Sequence, residues 1–199
     1  MEKLINQLHK KLANLKGQKI AFVLEGRDAS GKGGFVKYLN ANEIDYLYLH
    51  QGRGTKTRQT KWLSDYKKEI LYLPRGKLII YDRSWHTRTW YHYPFGYCTK
   101  KQYDNQIRNV FKWEQDLINN HKVEIIKNWI SMTKKDQDKI IANRKIMKPY
   151  KYSESDSKAV ELFDDLTTTK ERMFVACPTW NIVDKYEAKE KLLDILIEG

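Results

Sequence analysis

The chain has 199 residues, 41% of them hydrophobic and 31% charged, which suits one globular domain and argues against a fibre, a disordered chain or a membrane protein. No apolar run approaches the roughly 20 residues that a bilayer-crossing helix needs, and the N-terminal stretch MEKLINQLHKKLANLKGQK lacks the unbroken apolar core of a signal peptide, so a cytoplasmic location is expected. Lysine and arginine outnumber aspartate and glutamate 37 to 25, and the net charge of +12 favours a polyanionic partner: a phosphate-rich small substrate, nucleic acid or an anionic surface.

In chain order, the first apolar run, Lys19–Glu25, predicts a strand, and Lys32–Leu39 a helix after it. A strand at Tyr46–His50 precedes a helical pattern at Thr57–Leu71, and a third strand spans Lys77–Asp82. The first and third strands are almost continuously apolar, as strands covered on both faces are. Thr99–Asn120 opens with Thr99 three residues before Gln102, a capping-box spacing, and keeps Ile107, Val110, Phe111, Leu117 and Ile118 at helical intervals. A strand at Val123–Trp129 leads to a helix at Thr133–Arg144; a helix at Lys158–Ala176, a strand at Trp180–Asp184 and a helix at Lys185–Ile197 complete the chain. Strands alternating with helices predict a three-layer α/β fold with a parallel five-stranded sheet, as a single domain over residues 1–199.

The segment Gly26-Arg27-Asp28-Ala29-Ser30-Gly31-Lys32 fits G-x-x-x-x-G-K, and it joins a predicted strand to a predicted helix. That context reads as a phosphate-binding Walker A loop, or P-loop. Its glycines let successive N–H groups point at one anion, the helix N-terminus adds a favourable dipole, and Lys32 supplies a cation. After the lysine, where a magnesium-binding Ser or Thr normally stands, come Gly33 and Gly34. Asp28 is therefore the candidate Mg²⁺ ligand within the loop.

A second constellation, Tyr81-Asp82-Arg83-Ser84-Trp85 with Arg88, follows the third strand. Strand carboxyl ends line the ligand crevice of an open α/β sheet, so Asp82 reads as a Walker B acid for Mg²⁺. Arg83 and Arg88 offer planar donors to phosphoryl oxygens. The basic stretch Lys139–Lys151 lies where P-loop kinases place a mobile lid, with Arg144 its best candidate for closing over phosphates. Arg53, Lys56, Arg58 and Lys61 form a further basic cluster suited to an acceptor or a long anion. The histidines His9, His50, His86, His92 and His121 show no metal-ligand spacing; His86 and His92 lie near the presumed site and are expected to pack or to lie on the surface. Cys98 and Cys177 suggest neither a disulfide framework nor a zinc site. The tryptophans are expected in the core, with Trp85 and Trp180 bordering the pocket.

With EGRDASGKGG (Glu25–Gly34) and YDRSWHTR (Tyr81–Arg88), the sequence resembles the family-2 polyphosphate kinases, which are P-loop proteins related in fold to thymidylate kinase. GYCTKKQY (Gly96–Tyr103), NWISMT (Asn128–Thr133) and the Trp-x-x-Val at Trp180–Val183 support the likeness, which runs from about Ile20 to about Leu196. The resemblance implies a Mg²⁺-dependent transfer of the terminal phosphate of inorganic polyphosphate to a nucleoside mono- or diphosphate such as AMP, ADP or GDP, or the reverse. It implies that Asp28 and Asp82 organise Mg²⁺ and that Lys32, Arg83 and Arg88 hold the transferring group, and it suggests a homo-oligomer. Arg144 matches a family arginine, while Lys145 and Lys148 are lid candidates by position and charge, in a lid of about residues 134–156. Two other readings of the same residues remain: an ATP-dependent P-loop kinase acting on a nucleotide, a small molecule or nucleic acid, and an inactive module that binds polyanions. No nucleic-acid-reading motif is present.

Overall fold

The longest apolar stretches form the centre of the sheet. In the computed structural model, which describes residues 1–50 and 60–199, the strands are β1 (Lys19–Gly26), β2 (Leu47–His50), β3 (Lys77–Asp82), β4 (Val123–Ser131) and β5 (Trp180–Asp184). All pair in parallel, in the order β2-β3-β1-β4-β5. Every residue of β1 is buried, and so is all of β3 after Lys77. Helices cover both faces and leave no polar side to alternate with.

The described helices are α1 (Glu2–Ala13), α2 (Lys32–Ala41), α3 (Trp62–Tyr72), α4 (Lys100–His121), α5 (Lys134–Met147), α6 (Glu154–Glu161), α7 (Phe163–Ala176) and α8 (Ala188–Glu198). On one face Ile20, Phe22 and Leu24 of β1 meet Leu8 of α1, Phe35 and Leu39 of α2, and Leu192, Leu193 and Leu196 of α8. On the other, Ala21 and Val23 meet Tyr66 and Ile70 of α3 and Val110 and Leu117 of α4. Each large side chain removed from water in this way contributes about 1.5–3 kcal/mol. Trp90, Trp129, Leu166 and Met173 form a third apolar cluster beneath α7. No described helix is long and apolar enough to cross a membrane.

The strand expectations hold, with β1 and β4 running one and two residues further and β2 starting one residue later, at Leu47. The capping box is present: Thr99 Oγ1 accepts from the Gln102 N–H, and Gln102 Oε1 accepts from the Thr99 N–H. Three helical regions depart most from expectation, and the other predicted helices shift by up to three residues at an end. The helix expected at Thr57–Leu71 spans Trp62–Tyr72 among the described residues; residues 57–59 lie outside them. The one expected at Lys158–Ala176 is two: α6 starts earlier, at its own Ser153/Asp156 capping box, and ends at Leu162, where α7 begins. α1 was not predicted at all. Its apolar residues Leu4, Ile5, Leu8 and Leu12 stand at helical spacing, but Lys, Gln and His dilute the signal, and contact with α8 and the sheet is what buries them.

Candidate active site

The P-loop leaves β1 at Gly26 with φ of 145°, and a side chain there would run into the Ile130 carbonyl oxygen of β4 at 2.7 Å. Ala29 (φ 68°) and Gly31 (φ 109°) are also left-handed, which curls the loop onto the start of α2. Inside the curl Lys32 is buried, its Nζ donating to the Gly26 and Arg27 carbonyls at 2.7 and 3.0 Å. Burial, then the Arg83 charge, lowers its pKa, while Asp82, Asp28 and Glu25 pull the other way.

From the end of β3, Asp82 and Arg83 enter the same space. Arg83 has φ of 64°, a left-handed backbone that a side chain adopts only when its surroundings enforce it. Its N–H donates to the Leu24 carbonyl, its guanidinium pairs with Asp28, and it lies 4.1 Å from the Tyr91 ring centroid. The second Asp28 oxygen accepts from Tyr91 Oη at 3.1 Å. Burial works to raise the Asp28 pKa, but Arg83 and Lys32 outweigh it and hold the group low. Burial acts in the same direction on Asp82, where hydrogen bonding from His50, the Lys32 charge and the Tyr48 hydroxyl prevail and keep the carboxyl at about 2.

These groups surround a cleft of about 450 Å³ at the carboxyl ends of β1 and β3, lined by P-loop residues 28–34, Asp82, Arg83, Lys37, His50, Arg144 and Lys151. Among the described residues, five lysines and arginines thus face two aspartates, which suits the cleft to a multiply charged anion. Glu25, fully buried at the end of β1, holds the two motifs in register. Its Oε1 accepts from the Ser84 N–H and Oγ and from Thr87 Oγ1, and its Oε2 accepts from Trp90 Nε1.

Several expected residues lie outside the cleft, and one that lines it is already paired. Arg27 turns out of the loop onto α7, where it stacks 3.6 Å from the Phe163 ring centroid and donates to the Phe163 carbonyl and Thr167 Oγ1. Arg88 opens a buried π-helical turn (Arg88–His92) that directs its guanidinium over the Trp62 ring of α3, outside the described lining of the cleft. Arg144 lines the cleft while its Nη1 donates to Asp156 Oδ1 at 2.8 Å. Lys148 borders an adjoining groove shared with Arg144 and Lys151, and Lys145 faces the Tyr152 ring on another side of α5. Trp85 is fully buried between Tyr66 and Tyr81, and Trp180 packs on His86 and Phe174, so neither borders the cleft. Arg53, Lys56 and Arg58 lie outside the described residues; Lys61 is exposed at the start of α3.

The family profile described as Polyphosphate kinase 2 (PPK2) matches residues 2–198. The chain belongs to the polyphosphate kinase 2 family. It is 30% identical over 197 residues to a GDP-polyphosphate phosphotransferase of Mycolicibacterium smegmatis, covering 94% of this chain and 68% of that one. It is 29% identical to NDP-polyphosphate phosphotransferase 2 of Ruegeria pomeroyi, covering 90% of this chain and 54% of that one. The chain thus spans 54–68% of the length of these two relatives. The solved polyphosphate kinase 2 of Arthrobacter aurescens TC1 has the same fold, with a TM-score of 0.81 at 18% identity, covering 98% of this chain and 73% of that one.

Within this polyphosphate kinase 2 framework, sequence reasoning missed Tyr48, His50 and Lys37 on the cleft side, and Glu25 behind it. Alternation of Tyr48 and His50 along a short strand was the available signal, but facing a cleft or facing solvent looks the same in sequence. His50, for which the sequence suggested no role, lines the cleft. His86, expected to pack or to lie on the surface, is buried with Nε2 2.6 Å from Glu114 Oε1.

Proposed function

We propose that this chain is a Mg²⁺-dependent phosphotransferase that moves the terminal phosphate of inorganic polyphosphate onto a nucleoside mono- or diphosphate, or runs the reverse. The observation that carries this reading is the convergence of Lys32, Arg83 and Asp82 from two motifs, 50 residues apart, on one strongly cationic cleft. The family membership and the activities for which the two relatives are named agree with it.

Phosphoryl transfer is governed by positioning and charge neutralisation, and no covalent nucleophile is needed. The P-loop N–H groups and Lys32 would hold the phosphates, with Lys32 leaving its loop carbonyls for phosphoryl oxygens. Arg83 would stabilise charge on the transferring group, while Arg144 and Lys151 draw the far end of a long anion toward the proposed lid. The acceptor's terminal phosphate oxygen forms the new P–O bond as the bond to the shortened polyphosphate breaks.

The acidic residues fit a hard divalent cation unequally. Oδ1 of Asp82 is buried and accepts no hydrogen bond among the described residues, the state of an oxygen suited to a metal. Both Asp28 oxygens are engaged, by Arg83 and Tyr91. Asp82 is therefore the principal ligand in this proposal, and Asp28 joins it when Arg83 turns to the phosphate. Mg²⁺ bound there supplies charge neutralisation at the phosphoryl oxygens.

A donor swap tests the reading. Purified protein with Mg²⁺ and a panel of nucleoside mono- and diphosphates receives either long-chain polyphosphate or ATP, and chromatography reads the products. Nucleotide formed with polyphosphate as donor is the expected result. Consumption of ATP alone would move the chain to the ATP-dependent kinases, and no turnover with either donor would leave a polyanion-binding module.

A further inference from the structure

The two ends of the Asp82 carboxylate are treated differently, and β2 makes the difference. In the β2–β3 ladder His50 stands opposite Asp82 and Tyr48 opposite Ile80. Alternation puts Tyr48 and His50 on one face, their rings stacked 6.5 Å apart with 21° between planes. Tyr48 Oη donates to Oδ2 of Asp82 at 2.8 Å, and His50 Nδ1 lies 3.5 Å from that same oxygen. Oδ1 receives nothing among the described residues, although it is buried.

A buried carboxylate oxygen without a donor is costly unless a ligand completes it. The choice of donor also matters. Arg83 cancels the charge of Asp28, whereas a phenol hydroxyl orients a carboxylate and leaves its negative charge intact. We infer that Tyr48 is a positioning residue for the divalent cation: it ties Oδ2 in place so that Oδ1 is the oxygen presented to the ion, with His50 beside the tyrosine ring as a second, longer partner of the same Oδ2. This deepens the reading proposed above and rests on Asp82 holding the ion.

Metal binding separates the two claims. Mn²⁺ serves as a spectroscopically visible substitute, and its binding to the full chain is followed by electron paramagnetic resonance for wild type, Tyr48→Phe and Asp82→Asn, with and without a nucleoside diphosphate. The half-saturating Mg²⁺ for turnover is read in the same three proteins. Outer partners of metal ligands typically change affinity by about 10–100-fold, so Tyr48→Phe is expected to weaken Mn²⁺ binding about tenfold and to raise the half-saturating Mg²⁺ by a similar factor. Excess Mg²⁺ should then restore its kcat, while the melting temperature stays within about 2 °C because the ring remains. A purely structural tyrosine would lower the melting temperature with no rescue by metal. Wild-type metal dependence in Tyr48→Phe, with Asp82→Asn impaired, overturns the positioning role alone. Wild-type metal dependence in both variants overturns the assignment of Asp82 and the inference with it.

Discussion

At Gly26 one methyl group would meet a backbone carbonyl at 2.7 Å, in a conformation that only glycine adopts without strain. Gly26→Ala is therefore expected to cost about 1–3 kcal/mol, read from denaturant unfolding, and to lower phosphate affinity because the loop must open; an unchanged midpoint would refute the collision. Asp28→Asn and Asp82→Asn should each lower turnover by at least ~10²-fold with folding intact. Near-normal turnover in either variant removes that residue from the proposed ion site. The pH dependence follows from the same carboxylates. Asp82 is held at about 2, below its ordinary 3.8, so its contribution to stability is fully present above about pH 4 and is lost as pH falls through 2. The melting temperature should therefore drop between pH 4 and pH 2, less steeply in Asp82→Asn. Of this scale, Lys32, Asp28 and Asp82 were legible in sequence because motif spacing marks them. Glu25 was not, because its partners Ser84, Thr87 and Trp90 stand 59 to 65 residues away.

Among the elements, β4 carries a feature that its apolar pattern conceals. Lys127, in the middle of the strand, is 3% exposed and donates to Glu114 Oε2 of α4, to the Pro178 carbonyl and to Cys177 Sγ. Glu114 also accepts from Trp85 Nε1 and pairs with His86. The network joins the loop after β3 to α4, β4 and the end of α7. Removing one partner of a buried pair strands the other charge, at about 3–5 kcal/mol. Lys127→Met should lose that much in urea unfolding, and Lys127→Met with Glu114→Gln should recover a substantial part. Additive losses in the double variant would show that the two do not compensate each other. In the sequence Lys127 is only a strand residue, since no local pattern shows which helix lies over it. The α6–α7 break was missed for a related reason: Leu162 continues the apolar spacing, and the Ser153/Asp156 cap lies upstream of the predicted start.

Across the whole molecule, with its net charge of +12, Lys37, Arg144 and Lys151 gather around the P-loop where the strand ends meet α2 and α5. A long polyanion feels this field along its length, and a mononucleotide feels much less of it. Raising ionic strength from about 50 to 200 mM should therefore increase KM for long-chain polyphosphate several-fold more than KM for the nucleotide. Equal salt dependence of the two would place polyphosphate outside this cationic rim.

The sequence by itself determined the strands, most of the helices, the parallel α/β class and the P-loop, because each is written in local periodicity or in a fixed short spacing. Tertiary structure alone decided where long side chains go. It turned Arg27 onto Phe163, Arg88 onto Trp62 and Lys145 toward Tyr152, and it brought Tyr48 and His50 to Asp82. A motif specifies a residue's place on the backbone, but the partner of a flexible cation or a phenol is set by which elements pack beside it. That packing is fixed only when the sheet order β2-β3-β1-β4-β5 brings distant segments together.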